Sequence, residues 1–283
     1  MLVNLNEVLK IAEDRNIAIG SFNCPNLENV MAVLKTAEKY DVPVILMHAQ
    51  LHEEVVPMEI IAPVLIALAK SAKVPVCVHL DHCDNIDYLT RSLELGFTSV
   101  MFDGSLFPYE ENVEKTKMAV AKAKLYGANV EAEIGILGGR ESGSKDSGVK
   151  IEDMYTDPDL AAKFVAETGI NALAASFGTA HGFYTVKPKL DFDRIEKINS
   201  LVDIPLVMHG GSGVSKEDYL TAISKGIRKI NYYSYMGKAG VEGVKNYLAN
   251  NEVSFYHELA NAAIDNMTQN VEEAMRVFSK VQD

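Results

Sequence analysis

The sequence predicts an α/β fold, a (β/α)8 TIM barrel with extra C-terminal helices, on three observations. Eight short apolar, β-branched runs recur about every 25 to 35 residues along the chain. The stretches between them carry apolar residues at three- and four-residue spacing, the period of a helix with one face on a sheet. Proline and glycine then punctuate that register. Single barrels of this kind reach the present length, so one domain over residues 1–283 is expected.

The candidate strands are Ile17–Phe22, Val42–Met47, Val74–His79, Thr98–Phe102, Asn129–Glu133, Ile170–Ser176, Ile204–Met208 and Ile227–Asn231. Pro43, Pro75 and Pro205 each stand at a strand's start, where a missing N–H costs least. The crossover helices are Asn26–Tyr40, Glu53–Ser71, Ile86–Leu95, Glu110–Tyr126, Pro158–Thr168, Phe192–Leu201 and Lys216–Lys225. Gly96, Gly127, Gly169 and Gly226 follow helices where they must stop. The tail from Met236 to Asp283 has the pattern of two or three further helices.

Composition narrows the function classes. A net charge of -12 is opposed to a nucleic-acid footprint, and no uninterrupted apolar stretch approaches a membrane span. The N-terminal residues lack the pattern of a secretory signal, and Cys24, Cys77 and Cys83 form no disulfide pattern, so a cytoplasmic protein is expected.

Barrel enzymes carry their chemistry at the carboxyl ends of the strands. His82, His181 and His209 follow the third, sixth and seventh runs, so three distant imidazoles reach one mouth, as a catalytic Zn²⁺ with an open position requires. Asp81, beside His82, is read either as the partner of a ligand or as a proton-transfer group. Glu131 and Glu133 share a strand face at period two, and inward orientation toward a metal or a cationic side chain avoids two unpaired buried charges. Asp103 is placed to share a second cation with Glu133 or to cap the turn before Gly104. The turns Gly178–Gly182 and His209–Gly213 expose backbone N–H groups suited to phosphate. Residues 135–157 form a long, polar, glycine-rich stretch, either an active-site lid or a surface loop. Lys229 is the candidate for a Schiff-base alternative.

The strings His79-Leu80-Asp81-His82, Val130-Glu131-Ala132-Glu133-Ile134-Gly135, Gly178-Thr179-Ala180-His181-Gly182 and His209-Gly210-Gly211-Ser212-Gly213 closely resemble the class II, metal-dependent ketose-bisphosphate aldolases. The resemblance implies that His82, His181 and His209 hold Zn²⁺ and that Asp81 is the acid/base at the carbon–carbon bond. It also implies a second divalent ion at Asp103 and Glu133, and a dihydroxyacetone-phosphate site at Gly182, Gly210, Gly211, Ser212, Asn231, Tyr232, Tyr233 and Ser234. A monovalent cation, Na⁺ or K⁺, assists in some members. Glu141 matches the residue that moves the proton on the dihydroxyacetone-phosphate carbon. The implied reaction splits fructose 1,6-bisphosphate, or else tagatose 1,6-bisphosphate or another ketose phosphate, in a homodimer or homotetramer. A sugar-phosphate-binding barrel without turnover is the rival. Tyr233 and Tyr235 depart from the family's strand-eight pattern, the histidine usual after the strand-four aspartate is absent, and no Lys or Arg lies between Lys245 and Arg276. These departures leave the group on the aldehyde fragment open.

Overall fold

Strands and helices alternate throughout the computed structural model, which describes residues 1–135, 155–184 and 187–281. A two-residue strand β1 (Leu2–Val3) and a helix α1 (Leu5–Arg15) precede the repeat. The first four units are β2 (Ile19–Asn23) with α2 (Leu27–Tyr40), β3 (Val44–Ala49) with α3 (Met58–Ser71), β4 (Val76–Cys83) with α4 (Ile86–Glu94), and β5 (Ser99–Phe102) with α5 (Tyr109–Leu125). The second four are β6 (Asn129–Ile134) with α6 (Pro158–Thr168), β7 (Ala172–Ala175) with α7 (Phe192–Asn199), β8 (Leu206–Met208) with α8 (Lys216–Ser224), and β9 (Ile227–Tyr232) with α9 (Ser234–Asn250). A final helix, α10 (Tyr256–Phe278), packs on α9 and α2. The tail therefore yields two helices, one completing the eighth unit and one extra.

Every strand pairing is parallel. β9 pairs with β2 from Ile19↔Lys229 to Phe22↔Tyr232, and β4 pairs with β5, so β2 to β9 close into an eight-stranded barrel. β1 borders the start of β4, beside Val76 and Cys77, before β5 takes over at His79. Side-chain caps start most helices, with Asn26, Asn85, Asp157, Asp191 and Ser215 each accepting from a backbone N–H of the first turn. Pro43, Pro75 and Pro205 sit one residue before their strands. Pro75 and Pro205 still donate nothing but accept, from Val44 and Leu173.

The barrel interior changes character along its axis. Ile19, Ile45, Met47, Cys77, Ala172, Ala174 and Val207 form an apolar floor, sealed from the amino-terminal side by Leu5, Val8, Leu9 and Ala12 of α1. Above it the inward positions are polar: Ser21, Asn23, His79, Asp81, Ser99, Glu131, Glu133, His209, Lys229 and Asn231 are all buried. Burying that many polar groups is costly unless they bond one another or a ligand. The polar half lies toward the carboxyl ends of the strands.

Candidate active site at the barrel mouth

Asp81 and His82 are consecutive, and on a regular strand they would face opposite sides. They do not, because the β4–β5 register shifts between Leu80 and Cys83 and His82 takes a left-handed conformation, φ 42°. For a residue with a Cβ that conformation costs roughly 1–2 kcal/mol, and such bulges commonly re-aim side chains at active sites. His82 thus lies within the end of β4 rather than beyond it. Cys83 turns away and its thiol donates to the Asn85 carbonyl at 3.1 Å, which leaves it a bystander.

The three histidines converge. Nε2 of His82 and Nε2 of His181 are 3.2 Å apart, and the ring of His209 lies 4.5 Å from that of His82. The free ring nitrogens can be assigned from their partners. His82 Nδ1 bonds Asp103 Oδ2 at 2.8 Å, so the Nδ1–H donates and Nε2 keeps its lone pair. His209 Nε2 bonds Glu131 Oε1 at 2.7 Å, the shorter of its two carboxylate contacts, so the proton is assigned there and the lone pair to Nδ1, which lies 3.3 Å from Glu133 Oε2. Two tetrahedral ligand nitrogens about 2.05 Å from Zn²⁺ stand about 3.3 Å apart, close to the observed pair. The donor set of His82, His181 and His209 therefore fits a catalytic zinc. A second cluster, His82, Asp103 and Glu133, shares one histidine with the first.

Electrostatics lead to the same conclusion. Asp81, Asp103, Glu131 and Glu133 gather around these rings, and Lys229 pairs with one of them, Glu131. Burial opposes a proton on His82, yet Asp81 and Asp103 outweigh it and raise its pKa to about 10. Burial and then Asp103 raise Glu133. Burial also works against the Asp81 and Glu131 carboxylates, but His82 and His209 hold the first well below the usual range, and Lys229 and His209 do so for the second. Carboxylates crowded about two imidazoles are a surrounding that a divalent cation at the donor set would neutralise.

Asp81 is held from two sides. Asn23 Nδ2 donates to Oδ2 at 2.9 Å and Asn231 Nδ2 to Oδ1 at 3.0 Å. Lys229 is fully buried, its Nζ 2.9 Å from Glu131 Oε2 and 2.7 Å from Asn231 Oδ1. With those bonds it is not presented to a carbonyl substrate as a Schiff-base lysine must be. Asp103 caps the turn, one of the two roles left open for it, and also bonds His82. Its Oδ1 accepts from Ser105 Oγ and N, closing the turn, while Oδ2 orients His82.

The glycine turns come together. Gly210 has φ 62°, and a Cβ there would strike the backbone of Ala180 in the neighbouring turn. Tyr184 joins the two turns: its hydroxyl accepts from Ala180 N at 2.9 Å and donates to the Gly210 carbonyl at 2.8 Å. Tyr219 donates to the Gly211 carbonyl from below. Ser212 Oγ accepts from the Tyr233 backbone N–H at 2.9 Å. No motif signalled Tyr184 or Tyr219, whereas Asn23 was open to the period-two argument.

The mouth reading of Tyr232 needs correction. Asn231 points inward, so its neighbour points outward: the Tyr232 hydroxyl donates to Asn270 Oδ1 at 3.0 Å and its ring packs edge-on against Phe22 and Phe278. Tyr233 rests edge-on against His52, with ring centroids 5.3 Å apart, and Ser234 opens α9. Tyr235 lies against Phe183, and a Cβ on Gly213 would come within 2.6 Å of its ring. Glu141, with Arg140 and Ser142, lies outside the described residues.

Fold and site together describe an α/β barrel whose mouth gathers residues able to hold a metal ion. A family model, Fructose-bisphosphate aldolase class-II, matches residues 3–283. The chain belongs to that family, and it is an aldolase, a carbon–carbon lyase. Zinc is the family's usual metal. The chain is 38% identical over 274 residues to a sulfofructosephosphate aldolase from Alkalicoccus urumqiensis, spanning 96% of this chain and 94% of the relative. It is similar to the solved structure of the YdjI aldolase from Escherichia coli K12, at TM-score 0.87 and 32% identity, over 98% of this chain and 97% of that one. A solved structure from Coccidioides immitis superposes at TM-score 0.88 and 28% identity, over 97% and 96% of the two chains.

Proposed function

We propose that this aldolase performs reversible Zn²⁺-dependent cleavage of a ketose phosphate to dihydroxyacetone phosphate and an aldehyde. The observation that carries the reading is the convergence of one ring nitrogen each from His82, His181 and His209 within 4.8 Å of one another, with Asp81 next to His82 in sequence. Zinc held by these three nitrogens would polarise the ketose carbonyl and stabilise the negative charge that develops on the ketone fragment.

The chain's own groups divide the remaining work. Asp81 takes the proton from the hydroxyl on the carbon that becomes the aldehyde, and the electrons of the breaking carbon–carbon bond pass to the ketone fragment. Asn23 and Asn231 hold both Asp81 oxygens in place for that transfer. Glu141 is assigned the return of a proton to the ketone fragment, on the resemblance of its motif. The joined turns at Gly182 and Gly210 to Ser212 offer backbone N–H groups to the ketose C1 phosphate. Asp103 and Glu133 would accommodate a second divalent ion, and a monovalent cation would assist at the phosphate.

Fructose 1,6-bisphosphate is the first substrate, with tagatose 1,6-bisphosphate behind it. A second reading, cleavage of sulfofructose phosphate, is favoured by the 38% identical relative. Turnover by an oligomer is expected, as either a homodimer or a homotetramer. A panel of these ketose phosphates, assayed by coupled reduction of dihydroxyacetone phosphate, tests the proposal. Cleavage of at least one, lost with chelation, supports it. Cleavage of none, or cleavage indifferent to a chelator, sinks it.

A further inference from the structure

Among the buried polar groups that the reaction as drawn does not use is Lys229, below the mouth. Its ammonium has two partners that lead in different directions. Toward β9 it donates to Asn231 Oδ1 at 2.7 Å. An amide whose oxygen is claimed in this way must turn its NH₂ the other way, and the Asn231 Nδ2 is indeed the atom that donates to Asp81 Oδ1 at 3.0 Å. Toward β6, Lys229 Nζ lies 2.9 Å from Glu131 Oε2. The other oxygen of that carboxylate accepts from His209 Nε2 at 2.7 Å, closer than the 3.3 Å between His209 Nδ1 and Glu133 Oε2, which leaves Nδ1 as the nitrogen for the donor set. His79 Nε2, 3.7 Å from Glu131 Oε2, is the competing partner for the carboxylate, and the lysine is the nearer cation.

We propose that Lys229 is a positioning residue that ties the acid/base to the metal ligand: it locks the Asn231 amide toward Asp81 and, through Glu131, selects Nδ1 of His209 as the donor to zinc. This rests on the aldolase reading for its first arm alone. The second arm concerns metal affinity and is measurable without turnover. Without the ammonium, the Asn231 amide loses what distinguishes its two orientations, and the Glu131 carboxylate is free to turn to His79. Both bonds run between protein groups, so the loss is expected in kcat and zinc affinity more than in KM.

The test compares Lys229→Met, Asn231→Ala, Glu131→Gln and the doubles Lys229→Met/Asn231→Ala and Lys229→Met/Glu131→Gln. Each is checked for folding by circular dichroism and thermal melting. The Lys229→Met/Glu131→Gln double removes both buried charges together, so it remains interpretable if an unpaired glutamate prevents Lys229→Met from folding. For Lys229→Met, kcat should fall by about 100-fold with KM changed less than threefold. Adding it to Asn231→Ala should cost little more, because both remove the same constraint on Asp81. Zinc affinity, measured by competition with a chromophoric chelator, should fall by about tenfold or more for both Glu131→Gln and Lys229→Met, and no further for their double. Additive losses in either cycle, or a folded Lys229→Met protein with kcat and zinc affinity both within twofold of the parent, overturn the proposal. Should the parent cleave no ketose phosphate, the aldolase reading fails while the zinc cycle still decides this one.

Discussion

Replacing Tyr184 by Phe isolates the phosphate seat from the metal chemistry. The substitution removes one oxygen, and with it two hydrogen bonds: the one accepted from Ala180 N at 2.9 Å and the one donated to Gly210 O at 2.8 Å. Burial holds the Tyr184 hydroxyl up at a pKa of about 12, so it remains a neutral donor at any working pH. Each bond contributes about 1 kcal/mol net, giving a loss of about 2 kcal/mol. For a chain of this size that is roughly 3 °C in Tm. The turn carrying His181 and Gly182 is then no longer tied to the turn carrying Gly210 and Ser212. Steady-state kinetics of Tyr184→Phe should show KM for the ketose phosphate raised about tenfold, equivalent to 1.4 kcal/mol of binding, with kcat within threefold and zinc content unchanged. A fall in kcat at constant KM, or loss of zinc, would refute the assignment of these turns to the phosphate.

Two further outcomes are expected. Asp81→Asn should lower kcat by 10²–10⁴-fold while zinc content is retained, because Asp81 lies outside the three-histidine donor set; loss of zinc would make it a ligand instead. His48 should make the protein acid-sensitive: burial pushes its pKa down to about 4 from an ordinary value near 6.5, so the unfolded chain takes up a proton that the folded one refuses. That stabilisation is complete above pH 6.5 and is lost as pH falls toward 4, amounting to about 2 kcal/mol by pH 5. Urea titrations at pH 7 and pH 5 should therefore show a smaller drop for His48→Asn than for the parent, and an equal drop would count against the assignment.

The fold was legible because the chain repeats itself. Strand starts at Pro43, Pro75 and Pro205 and helix stops at Gly169 and Gly226 are local chemistry, and both glycines have positive φ in the structure. The amino-terminal strand and α1 were not foreseen, since two residues of strand carry no period and a helix sealing a barrel floor looks like any amphipathic helix. The three histidines could be placed at one mouth from strand spacing alone. What strand spacing could not show is the register shift after Leu80, which lets Asp81 and His82 face the same site. Nor could it show that Lys229 and Glu131 meet, because their pairing depends on the barrel closing between strands nearly 100 residues apart. Tyr232 was grouped with the mouth by its neighbours in sequence, although period two turns it toward Phe278.

The central claim is that three imidazole nitrogens hold a metal on which cleavage depends. Metal analysis of the purified protein, with cleavage assayed before chelation, after it and after zinc is restored, tests it most directly. The expected result is close to one zinc per chain in the donor set of His82, His181 and His209, activity lost with the metal and regained with it, and neither metal nor activity in His82→Ala. Cleavage that persists in the metal-free protein, or in His82→Ala, would contradict the account.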